Sequence, residues 1–200
     1  MKFSCLLICF FLAIHVIIPS QEIKIDSKMT FEQSIKGSKA PKEITDNLCL
    51  LDVTYYSTDK QLHRGQLVIS KDLKQDVEQI FELILKNKFP IHHCIPIVKY
   101  NWSDSASMSD NNTSAFNYRT ISGTDRLSNH ALGRAIDINP KFNPVIENGQ
   151  ITPIGGSYKT NRPGTHHEKS ALNIKFKELG WSWGGDYKSF KDYHHFDKRK

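Results

Sequence analysis

The sequence predicts an α+β fold in a single domain, a small antiparallel sheet flanked by helices. Short runs with strand character, a long apolar stripe at helical period, and a chain of 200 residues with 38% hydrophobic and 24% charged residues point to it. That length is one domain by default, and the composition excludes repeat arrays, collagen and wholly disordered chains.

The elements follow in chain order. Residues 1–20 open with Lys2 and run almost without polarity from Cys5 to Pro19, the pattern of a secretory signal with Ser20 as the small residue at the cut. An uncleaved anchor is the alternative, but the apolar stretch of about 16 residues falls short of the roughly 20 that span a bilayer. Cleavage would remove one cation and no acid, and two of the four cysteines. Cys49 and Cys94 would remain in an exported chain, where a disulfide is permitted and two free thiols are equally compatible. Residues 21–43 are polar and lysine-rich and read as a leader or linker, with the folded part starting near Ile44.

His63 to Ile69 reads as a short strand entered through Gly65. Leu73, Val77, Ile80, Phe81, Ile84 and Leu85 then fall on one face of a helix, with Ser70 as its N-cap and Pro90 beyond its end. The polar stretch Asn101 to Asn117 is rich in Ser, Asn and Asp and reads as a long loop. Arg134 to Ile138 reads as a buried strand, and Lys169 to Leu179 as a second helix stopped by Gly180. The chain closes on an aromatic, glycine-rich segment and a basic tail.

Nine histidines are many for this length, and two places combine them with carboxylates. In Ser128-Asn-His130-Ala-Leu-Gly133-Arg-Ala-Ile-Asp137, the seven-residue spacing would put His130 and Asp137 on opposite faces of an extended strand, so they meet only if the chain turns at Gly133. Asp137 between two isoleucines is a costly place for an unpaired carboxylate. In Asp192-Tyr-His-His195-Phe196, three residues separate Asp192 from His195, and a tight turn aims both at one point. Two His with one Asp and an open fourth position form a donor set suited to catalytic zinc. Trp181 and Trp183 flank a cleft or pack in the core. His92-His93 and His166-His167 lack a suitably spaced carboxylate, Glu168 excepted, and read as surface or loop residues.

The first segment resembles the SxHxxGxAxD signature of the zinc peptidases typified by D-alanyl-D-alanine carboxypeptidases, vancomycin-resistance dipeptidases and the L-alanyl-D-glutamate peptidases of phage endolysins. The segment Trp183 to Phe196 is similar to that family's carboxy-terminal motif, closest to the L-alanyl-D-glutamate branch. The likeness runs from about His63 to Phe196. It implies a hedgehog-like or D,D-peptidase-like zinc fold over 44–200, with zinc on His130, Asp137 and His195 at one edge of the sheet. It also implies Asp192 as general base, Arg119 as substrate ligand or oxyanion partner, and Ser128 and Trp183 beside the substrate. Two positions depart from the family: Asp192 stands where other branches have Glu, and His194, where Pro or Gln is common, could compete for the metal.

The implied activity is that of a secreted or periplasmic metallopeptidase acting on the stem peptides of peptidoglycan, a monomer without a second cofactor. The alternative is a zinc-containing binding or signalling module of the same fold. The formal charge of +6 suits anionic partners. Charge alone does not make a nucleic-acid protein, and no basic-aromatic motif supports one.

Overall fold

The computed structural model describes residues 22–199, so the segment 1–20, expected as a signal, lies outside the described residues. Among the described residues no helix is long and apolar enough to cross a membrane.

The segment expected as a linker carries a two-residue strand, β1 (Lys24–Ile25), and two single-turn helices, α1 (Phe31–Ser34) and α2 (Lys42–Thr45). This differs from the compositional expectation, because most of its apolar side chains find cover, with Ile25 the exposed exception. Phe31, Ile35, Ala40 and Ile44 pack on Leu48, Val68 and Phe116. Polar contacts reinforce the docking. Ser27 Oγ and the Met29 N–H both donate to Gln66 Oε1 at 2.7 Å, and Asp26 accepts from Tyr55 and pairs with His63. A capping box between Thr30 and Gln33 starts α1.

The longest strands, β2 (Leu48–Tyr56) and β3 (Leu62–Ser70), form an antiparallel hairpin in register Leu48↔Ser70 through Tyr56↔Leu62, and β1 adds to β3 in parallel. A single 3-10 turn (Lys71–Leu73) leads into α3 (Lys74–Lys86), which lays Val77, Ile80, Phe81 and Ile84 into the core. Each such side chain contributes roughly 1.5–3 kcal/mol of transfer free energy. Ser70 precedes the turn in extended conformation, but its hydroxyl donates to Asp72 instead of capping the backbone.

The polar stretch 101–117, expected as a loop, is structured. After β4 (His93–Cys94) the chain forms α4 (Asp104–Ser109), capped by Ser103, and β5 (Asn112–Thr113), parallel to β4. Residues 111–117 are buried. Asn112 explains how polar side chains tolerate this. Its Oδ1 accepts from the Ile95 N–H and its Nδ2 donates to the Ile95 carbonyl, both at 2.9 Å, so the amide acts as a peptide surrogate.

The remaining strands are short: β6 (Ala135–Asp137), β7 (Val145–Glu147) and β8 (Gln150–Thr152). Then come α5 (Ala171–Glu178), β9 (Ser182–Trp183), β10 (Lys191–Asp192) and β11 (His195–Asp197). They make two three-stranded antiparallel sheets, ordered β6-β11-β9 and β10-β7-β8. The architecture is therefore α+β, but the single expected sheet is divided into several small ones. Phe176 of α5 stacks on Phe196 of β11 with ring centroids 3.8 Å apart, which ties the second helix to the strand that ends the domain. Cys49 and Cys94 are not paired.

His166 is wholly buried, packed against Phe196, Trp183 and Phe89, with Nδ1 2.7 Å from Asn173 Oδ1. Burial pushes its pKa down to about 3. The unfolded chain protonates this ring near pH 6.5, well before the folded protein does, so its contribution to stability is complete above that pH and is lost as pH falls toward 3. Between pH 6.5 and 4.5 this ring alone is expected to cost about 2–3 kcal/mol. His166→Asn keeps a donor toward Asn173 and cannot titrate. Thermal unfolding against pH should show a shallower acid slope in the variant, and parallel curves would refute the assignment.

Candidate metal centre

His130 lies in a short 3-10 turn (Asn129–Leu132) that Ser128 starts by accepting the His130 N–H on its hydroxyl. Gly133 ends the turn at φ +64°, a left-handed conformation that glycine adopts without strain. A Cβ there would also stand 2.8 Å from the Ser70 nitrogen. The reversal at Gly133 is what lets His130 and Asp137 face each other despite their odd spacing. His195 comes from the far end of the chain: β11 pairs with β6 in antiparallel register, His195 opposite Asp137, so the two side chains share one face.

The three donor atoms converge. His130 Nε2 lies 3.2 Å from Asp137 Oδ1, His195 Nδ1 lies 3.0 Å from the same oxygen, and the two ring nitrogens are 3.2 Å apart. His130 Nδ1 is 2.5 Å from the Ala115 carbonyl, so Nδ1–H donates there and the Nε2 lone pair faces the centre. These residues fit zinc. Bonds of about 2.0–2.1 Å in tetrahedral geometry space neighbouring ligands by about 3.3 Å, and no other group of histidine, cysteine and acid side chains among the described residues converges in this way.

The electrostatics agree. Burial opposes the charge on Asp137, yet His130 and His194 hold its carboxyl well below the usual carboxylate range. Burial likewise opposes charge on His130 and His195, and Asp137 more than offsets it, raising both. A field that favours a proton on these rings also favours a cation between them.

The trio opens into a cleft of about 620 Å³ that Arg119, Ser128 and Asp192 also line. A larger hollow of about 1040 Å³ beside α1 and α2 contains no histidine. Asp192 stands in β10 opposite Val145 of β7. Its Oδ1 is buried without a hydrogen-bond donor, since His194 Nε2, 3.0 Å away, approaches outside bonding geometry. Gly184 makes room for it, because a Cβ there would overlap the Asp192 carbonyl and Cβ. Arg119 Nη2 pairs with Asp104 Oδ2 at 2.7 Å, and its Nε has no partner.

Trp183 does not line this cleft. It is 5% exposed, part of the core, and its indole N–H donates to the Tyr193 carbonyl. Trp181 is also in the core. His194 is not among the converging donors: its Nδ1 is 2.9 Å from the Asn143 carbonyl and its Nε2 is 3.9 Å from Asp137.

Two acids in the cleft escaped the sequence reading. Asp104 holds Arg119, and Asp197 bonds Asn129 with Oδ2 4.0 Å from His195 Nε2. Asp197 had a signal, since residues two apart on a strand share a face. Asp104 had none, because only the tertiary fold brings α4 to Arg119.

No curated protein and no solved structure is matched by the chain. Residues 122–198, the stretch that carries His130, Asp137, Asp192 and His195, match a family model described as D-alanyl-D-alanine carboxypeptidase.

Proposed function

We propose that this chain is a secreted, zinc-dependent peptidase that hydrolyses peptide bonds in peptidoglycan stem peptides, of the D,D-carboxypeptidase or L-alanyl-D-glutamate peptidase type. The observation that carries the reading is the convergence of His130, Asp137 and His195 in a cleft that also holds an unpartnered carboxylate oxygen of Asp192. The family match over the same residues supports it.

His130, Asp137 and His195 would hold the zinc, which when bound supplies a Lewis acid that makes water a usable nucleophile near neutral pH. Asp192 takes a proton from the attacking water on its carboxylate and later returns it to the leaving amine. Arg119, kept in place by Asp104, offers a fixed guanidinium to the developing oxyanion or to a substrate carboxylate. Ser128 orients the turn that presents His130, and from the cleft wall it would line the substrate pocket.

The test is incubation of the purified protein with defined muropeptides, with zinc and with chelator, and identification of products by mass. Chelator-sensitive cleavage of a stem peptide is expected. Its absence on every stem peptide, with zinc bound, would favour the non-catalytic binding module.

A further inference from the structure

A third cavity, of about 600 Å³, lies where the β2–β3 turn and the end of α3 meet the loop segments around Phe142 and Arg162. Tyr56, Lys60, Lys88, Phe142, Arg162 and Pro163 are among its walls, and it shares no lining residue with the metal cleft. Its charge is one-sided. No lining residue is acidic, and among the described residues none of the three cations joins an ion pair.

Two of the cations are mounted on aromatic rings, and Lys60 is exposed at the rim. The Lys88 ammonium stands 5.4 Å from the centre of the Tyr56 ring, and the Arg162 guanidinium 4.2 Å from that of Phe142. Arg162 donates to Thr165 Oγ1, Ser157 Oγ and the carbonyls of Phe142 and Ser157. These acceptors are all neutral, so they fix the guanidinium without cancelling its charge, and one Nη1 hydrogen is left for a ligand. Lys60 and Lys88 have φ of 65° and 50°. Of the seven non-glycine residues with positive φ among those described, four are asparagine, the side chain that best tolerates this conformation. The two lysines both face this one cavity, and each is strained for an L side chain.

We propose that this cavity binds a phosphate-bearing ligand, with the anionic group among Lys60, Lys88 and Arg162 and its sugar or apolar remainder against Tyr56 and Pro163. A phosphate monoester carries close to two charges at neutral pH and three acceptor oxygens, which suits three separate cations, whereas a carboxylate is served by one arginine fork. A soluble ligand fits better than a lipid headgroup. The large exposed aliphatics, Ile154 foremost, do not line the cavity, so a bilayer would find no apolar anchor beside it.

The test is calorimetric titration of inorganic pyrophosphate, and separately acetate, into the zinc-loaded protein at low salt, with vesicles containing phosphatidylglycerol as a third arm. Lys60→Asn and Lys88→Asn remove charge at positions where asparagine relieves backbone strain, so both variants should fold with an unchanged or higher Tm. Pyrophosphate is expected to bind the wild type, each variant to weaken it by about tenfold, and stem-peptide hydrolysis to stay unchanged. The proposal is overturned by pyrophosphate binding that the double variant leaves intact, by acetate binding as tightly, or by binding to vesicles alone.

Discussion

Replacing Asp137 by asparagine is expected to strip the protein of zinc and abolish hydrolysis while the chain still folds. The substitution preserves volume at a position that is 3% exposed, so packing beside Ile136 and Ile138 survives. What it removes is the only carboxylate among the described residues in contact with both His130 Nε2 and His195 Nδ1. Losing even an outer-sphere partner typically costs 10- to 100-fold in metal affinity, and losing one of three protein ligands should cost more, about 10³-fold. Dialysis against a weak chelator followed by metal analysis should find one zinc per wild-type chain and none on the variant. One zinc retained at comparable affinity would show that the histidines bind metal with some other acid, and the mechanism drawn above would have to be rebuilt around it.

The site was more legible in the sequence than the fold, for a physical reason. A metal site needs particular residue types, and His130, Asp137, Asp192 and His195 announce themselves by chemistry and by the glycine that must turn the chain between the first two. The helix α3 was equally plain, because Val77, Ile80, Phe81 and Ile84 repeat at helical period. The strand β2 was not read at all. Burial does alternate from Leu51 to Tyr56, but Leu48, Cys49 and Leu50 in front of it are apolar on both faces of the hairpin, and that continuous run hid the period of two.

Polar segments misled in the same direction twice. The stretches 22–43 and 101–117 look like solvent-exposed chain by composition, yet Ser27 and Met29 bond Gln66, and Asn112 bonds Ile95. A polar side chain is stable in the interior once its partners are in place. Those partners lie 37 or more residues away for the first segment, beyond what local sequence can display. Trp183 illustrates the converse error: beside glycines it suggested a cleft wall, but the fold spends its surface on the core and its N–H on Tyr193.

Replacing Asp192 by alanine should leave zinc bound and remove hydrolysis, the opposite separation from Asp137. Asp192 lines the cleft but contributes no atom to the converging trio, so the metal loses no ligand. The cleft does lose a carboxylate whose buried Oδ1 accepts no hydrogen bond. A positioned general base typically contributes 10²- to 10⁴-fold, which is the expected fall in kcat, with zinc affinity held within about twofold. Aspartate is one methylene shorter than glutamate, and at Gly184 the absence of a Cβ lets the chain at Asp192 lie directly against it. Asp192→Glu should then recover less than full activity, because the longer side chain starts from a backbone already pressed into the cleft wall. Loss of zinc together with activity in the alanine variant would make Asp192 a ligand, whereas zinc retained with undiminished turnover would move the base elsewhere in the cleft, with Asp104 and Asp197 the carboxylates to test next.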